Sequence, residues 1–164
     1  MDGKERLSLF CWKQEAQKPD RIFGDQLLGR AKKINLRYAN IYSGVPENDE
    51  KKEEEWRALD AFTRYSNVSA ADYHEIQLKI LKAIGEPAEV EKLSPKSLEL
   101  LAELEHIRWC RYHYLNNWRY GVPDNGKAKD KTRRIHADLV PYESLTDSEK
   151  EKDRENIRVM LSIR

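Results

Sequence analysis

Cysteine is nearly absent: 164 residues hold two, Cys11 and Cys110. Two thiols so far apart give at most one bridge, not a disulfide framework, and a reducing compartment is the simpler reading. Long hydrophobic runs are missing as well. None approaches the ~18 residues a membrane span needs, and the opening MDGKERLSLFCW lacks the apolar stretch of a secretion signal; a cytoplasmic protein is expected. No sign of charge dominates, since 30 Lys and Arg face 29 Asp and Glu for a formal net charge of +1. The whole-molecule field therefore draws neither nucleic acid nor acidic membrane, and any electrostatic function must be local. The chain lacks a glycine-rich dinucleotide fingerprint, a P-loop, a G-x-S-x-G elbow and an H-E-x-x-H pair. With so many acids, pairs of carboxylates carry no information. No enzyme and no cofactor are expected.

What is present is a wet but foldable chain, 39% hydrophobic and 36% charged, with four Trp, eight Tyr and three Phe. Those aromatics supply large buried area per residue and argue against disorder. An early apolar cluster, residues 6–12, reads as an arm or the remnant of an upstream domain, within residues 1–24. Residues 25–42 place Leu27, Leu28, Ala31, Ile34, Tyr38 and Ile41 at helical spacing. The acid-rich run from Glu47 to Glu55 reads as a solvated loop or helix start. Ser66, Asn67 or Ser69 is expected to cap a helix carrying Tyr73, Ile76, Ile80, Leu81 and Ile84, stopped by Gly85 and Pro87. Ser94-Pro95 opens another helix, running to about Asn117. Residues 121–136 form a loop with room for a short hairpin. The stretch HADLVPY reads as a brief extended piece, and Thr146 with Glu149 makes a capping box for a last helix burying Ile157, Met160 and Leu161.

The two halves share one plan of helix, polar connection, apolar corner and helix. A constant shift aligns Ala31, Asn35 and Tyr38 with Ala102, His106 and Trp109. After a longer connection, Asp72, Ile76 and Ile80 align with Asp153, Ile157 and Leu161. The expectation is a mainly α protein built of two pseudo-repeated helix–loop–helix modules with a short strand element, residues 25–90 and 94–164, by internal duplication.

The second module carries a more specific pattern. Leu101, Ala102, Glu103, His106, Trp109, Trp118, Tyr120 and Gly121 stand in order, followed beyond the loop by His136, Leu139, Val140, Pro141, Tyr142, Leu145, Thr146, Ile157 and Leu161. This resembles the RyR domain, a module repeated in ryanodine receptor channels and found in bacterial proteins. The first half looks like the divergent region preceding that domain in bacterial relatives, some of which add a nucleotide-binding domain of the potassium-transport regulator type. The resemblance implies a helical fold with a short strand element, a regulatory role without catalysis, a hydrogen-bonding core role for His106, and a possible upstream nucleotide-binding or channel-associated partner domain. It also implies adenine-nucleotide binding, by analogy with the channel modules.

Two constellations could carry chemistry. Trp109, Trp118 and Tyr120 lie near a loop holding Lys127, Lys129, Lys131, Arg133 and Arg134 against Asp124 and Asp130. An aromatic wall stacks on a purine and guanidinium forks match phosphate, so a small anionic ligand such as a nucleotide is expected at Trp109, Trp118, Tyr120, Lys131, Arg133, Arg134 and His136. The plainer alternative makes the tryptophans core anchors and the protein a structural protein–protein module. His106, Cys110 and His113 share one helical face, as metal ligands would. A lone helix rarely completes a zinc site and no second ligand pair stands out, so no metal is expected.

Overall fold

The computed structural model describes residues 26–124 and 126–162. The arm expected over residues 1–24, with Cys11, lies outside them. Five α-helices account for most of the described chain: α1 (Gln26–Ser43), α2 (Asp49–Ala58), α3 (Ala61–Ile84), α4 (Pro95–Leu115) and α5 (Asp147–Ser162). Two 3-10 turns, Val90–Lys92 and Tyr142–Ser144, connect them, and three two-residue strands follow α4: β1 (Arg119–Tyr120), β2 (Lys129–Asp130) and β3 (Ile135–His136). The fold is mainly α with a short strand element, as the periodicity predicts. No described helix is long and apolar enough to cross a membrane.

Local chemistry explains most boundaries. The acidic run becomes α2: the Asn48 side chain accepts the Lys51 N–H, Asp49 and Glu50 occupy the positive end of the helix dipole, and Arg57 sits at the other end. The start of α3 corrects the sequence reading. Asp60, not Ser66, Asn67 or Ser69, is the cap, accepting the Thr63 N–H at 2.7 Å. The other three lie inside the helix. Asn67 instead donates to Asn35 of α1 (3.3 Å), and Ser69 accepts from Arg108 of α4 (3.1 Å). Gly85, at φ 74°, closes α3, with the Glu86 N–H returning to the Leu81 carbonyl. Ser94 caps α4 with Pro95 at its first position. Its hydroxyl also donates to Glu86 (2.8 Å), pinning the end of α3 to the start of α4.

The strands form a sheet of order β1-β3-β2. β2 and β3 are the anticipated hairpin, antiparallel with Lys129 opposite His136, and β1 joins β3 in parallel with Arg119 opposite Ile135. One apolar cluster runs through both halves: Ala31, Ile34, Trp56, Ala70, Ala71 and Leu81 pack with Leu101, Ala102, Tyr142, Leu145, Ile157 and Met160. A smaller one gathers Cys110, Trp118 and Leu139 with Phe62 and Trp109.

The residue matches expected from a duplication hold in the first helix of each half and fail in the second. Ala31 and Ala102 are both fully buried, and Asn35 and His106 are both buried polar groups reaching the second helix of their own half. In the second helices the alignment breaks. Asp72 and Ile76 are exposed whereas Asp153 and Ile157 are buried, because α3 turns Ala70, Ala71, His74, Gln77 and Leu81 inward.

Candidate functional site

α4 is the axis of the site. Leu101 and Ala102 seat its first half in the core, and the turns that follow carry polar and aromatic groups into the space between α3, β3 and α5. The buried imidazole of His106 meets an acceptor on each side: Nε2 donates to the Val140 carbonyl (2.8 Å) and Nδ1 to Asp153 Oδ2 (3.2 Å). Two acceptors require two ring protons. Burial pushes its pKa down, but Asp153, the Cys110 sulfur and the Val140 carbonyl outweigh this and raise it to about 10. His106 is therefore an imidazolium tying α4 to α5 and to the Val140 segment.

Cys110 Sγ lies 3.4 Å from His106 Nε2, so a thiol, an imidazole and a carboxylate stand in the order of a nucleophilic triad. The arrangement does not supply a base. The Nε2 proton is committed to Val140, and Cys110, a free thiol, is buried. His113, third on the same helical face, turns Nδ1 to the Trp109 carbonyl (2.9 Å). Among the described residues no three metal-ligating side chains converge.

Around this link lies an aromatic box. The Trp109 ring stands 3.9 Å from that of His113, 4.9 Å from His136 and 5.7 Å from His106. Trp118, 7% exposed, stacks on Phe62 of α3 at 5.1 Å and meets the His113 edge at 5.2 Å. Burial pushes both His113 and His136 down to about 4, helped by Lys129 near each, so these two are neutral where His106 is charged. His136 Nδ1 accepts the Asp138 N–H (3.1 Å), which fixes its tautomer.

Of the residues expected to hold a ligand, Trp109, Trp118 and His136 thus meet in one packed cluster. The other four lie outside it on the surface. Tyr120 is exposed on β1. Lys131 pairs with Asp60 (2.7 Å), Arg133 with Asp124 (3.2 Å), and Arg134, at φ 51°, donates to the Asn116 carbonyl (3.1 Å). Trp118 offers no open wall because Phe62 covers it, and Phe62 comes from the other half of the chain.

Two features escaped the sequence reading. Glu105 is fully buried and takes a two-pronged bond from Arg108 (2.7 and 2.9 Å), whose third contact is Ser69 of α3. A Glu and an Arg three residues apart read as surface charges; only the approach of α3 buries them. The second is an open cleft of about 610 Å³ between α1, the start of α2 and the end of α5, lined by Lys33, Arg37 and Lys52 over Leu36 and Val159. Glu47 and Asp49 also line it and pair with Arg37 and Lys52, so two of its three cations are already matched.

No curated protein and no solved structure matches the chain. A family model does, over residues 87–163, which span α4, the sheet, the His106–Asp153 link and α5. By that match residues 87–163 of the chain form an RyR domain.

Proposed function

We propose that this protein is a non-enzymatic regulatory binding module and that it engages a partner protein through the surface around β1. The observation that carries this reading is a run of exposed apolar side chains at one end of α4. Tyr114 is 51% exposed, Leu115 84%, Tyr120 57% and Val122 67%, on either side of buried Trp118 along the chain. Large apolar groups gathered on a surface mark association sites, and the anchoring of this stretch by buried Trp118 and by the Tyr114 hydroxyl on the Leu139 carbonyl lowers the ordering cost of binding.

A second reading, a small anionic ligand such as an adenine nucleotide, is favoured by Tyr120 standing exposed beside Arg133 and Arg134. Their present partners are a surface ion pair and a single carbonyl, which a phosphate can displace at little cost. One experiment separates the two. Intrinsic fluorescence is titrated with adenine nucleotides on the wild type and on Arg134→Ala, alongside melting temperatures. Saturable quenching that weakens in the variant moves the assignment to the ligand. No response from the folded protein, together with loss of self-association or partner capture in Leu115→Glu, supports the partner surface.

A further inference from the structure

The backbone of β1 narrows the kind of partner, on the reading that this face is the working surface. β3 uses only one side of β1: the Arg119 N–H donates to the Arg134 carbonyl (2.9 Å) and the Gly121 N–H to the His136 carbonyl (3.3 Å). Backbone groups alternate sides along a strand, so the N–H and carbonyl of Tyr120 between them point to the opposite edge. Among the described residues, the order β1-β3-β2 leaves that edge without a neighbouring strand. Tyr120 and Val122, two residues apart, project from the same face, and both are more than half exposed. A Cβ on Gly121 would come within 3.3 Å of Ile135, so the alternate position is glycine where β1 lies against β3.

Charge completes the description. Arg119 lies in the strand itself, Arg134 supplies the carbonyl that pairs with it, and Arg133 precedes Arg134 in the same turn. Arg111 sits one helical turn before Leu115 on the same face of α4, and all four are exposed. Asp124, the nearest acid along the chain, is held by Arg133. An apolar edge bordered by guanidinium groups complements a strand that alternates apolar and acidic side chains.

We propose that the free edge of β1 accepts an extended segment of a partner protein, alternating apolar and acidic residues, as a fourth strand of the sheet. Main-chain hydrogen bonds to Tyr120 would supply affinity, and contacts with Tyr120, Val122 and the arginines would supply selectivity. The edge is short, since buried Pro123 follows Val122, so the segment reads few residues.

The test uses the full chain and a fluorescein-labelled Glu-Val-Glu-Ile-Glu-Val peptide, read by fluorescence anisotropy. Two comparison peptides replace each Glu by Lys or methylate alternate amide nitrogens. Saturable binding of the acidic peptide is expected, with affinity reduced about tenfold or more for each comparison peptide. Tyr120→Pro removes the outward N–H at a position where an edge strand tolerates proline; it should abolish binding and keep the wild-type melting temperature. Should that variant fail to fold, Tyr120→Ala with the methylated peptide reads the same edge. No binding of the acidic peptide, or binding indifferent to amide methylation and to Tyr120→Pro, overturns the proposal. Binding that survives both but is lost in Val122→Glu overturns the fourth strand and leaves the working surface standing. Binding that survives Val122→Glu and Leu115→Glu removes both.

Discussion

The two helical halves meet in one core yet hold their helices together differently. In the C-terminal half the buried polar groups are matched: His106 to Asp153 and Val140, Glu105 to Arg108, His113 and His136 to backbone. In the N-terminal half Asn35 has Asn67. His74 Nδ1 and both amide atoms of Gln77, however, are buried with no well-formed hydrogen bond among the described residues, each side chain having only the other close by as a polar partner. The specific links of that half lie outside, as Arg30–Glu75 and Lys32–Glu53. Directional bonds in the interior specify one arrangement, whereas exposed ion pairs contribute little and apolar packing tolerates adjustment. The C-terminal half is the more exactingly built.

The sharpest way to break that contrast is to remove one member of a buried pair. Arg108→Ala strands Glu105, and Asp153→Ala strands the His106 imidazolium; each should cost about 3–5 kcal/mol by urea unfolding. Glu75→Ala, cutting the equivalent outer link of the first half, should cost less than about 1 kcal/mol. Equal losses would erase the distinction.

Titration sharpens it next. The folded pKa of His106 is raised to about 10, so its stabilisation is complete below the unfolded value near 6.5 and is lost as pH climbs from there through 10. His113 and His136 are depressed to about 4; the folded state resists their protonation, so stability falls as pH drops from 6.5 through 4. The histidine contributions together peak near pH 6.5. Their effect is on the order of 5 kcal/mol across each limb. Denaturant midpoints measured against pH should lose most of the alkaline limb in His106→Gln and part of the acid limb in His113→Gln.

A smaller effect of opposite sign belongs to the first half. Gln77→Leu replaces poorly partnered polar atoms by apolar ones and should be neutral or stabilise by about 1 kcal/mol in the same assay. A loss of 2 kcal/mol or more would show that Gln77 is satisfied after all. Least of all, Asp60→Ala removes the α3 cap and the Lys131 pair and should cost about 1 kcal/mol. Nearly all of that belongs to the cap: Lys131→Ala alone should leave stability within about 0.5 kcal/mol.

Much of the fold was legible because its signals are local. Ser94-Pro95, Gly85 and Thr146 each set a helix end through bonds spanning only a few residues. The ordered residues from Leu101 to Leu161 identified the domain that the family model confirms. The start of α3 was misread because Ser66, Asn67 and Ser69 are ordinary caps by residue type, yet α1 and α4 claim Asn67 and Ser69. The site was read only in part. His106 was recognised as a core histidine from the pattern, but Asp153 was marked only as an internal match to Asp72.

By itself, then, the sequence determined the helices, the hairpin and the family, since periodicity, capping and motif order act over a few residues at a time. Tertiary structure alone decided which groups are working surface and which are scaffold. Phe62 covers Trp118 from more than fifty residues away, α3 buries Glu105 and Arg108, and the parallel pairing of β1 with β3 leaves Tyr120 facing out. Burial and the second partner of a side chain depend on elements distant in the chain, and no local pattern encodes which of two similar tryptophans another helix will cover.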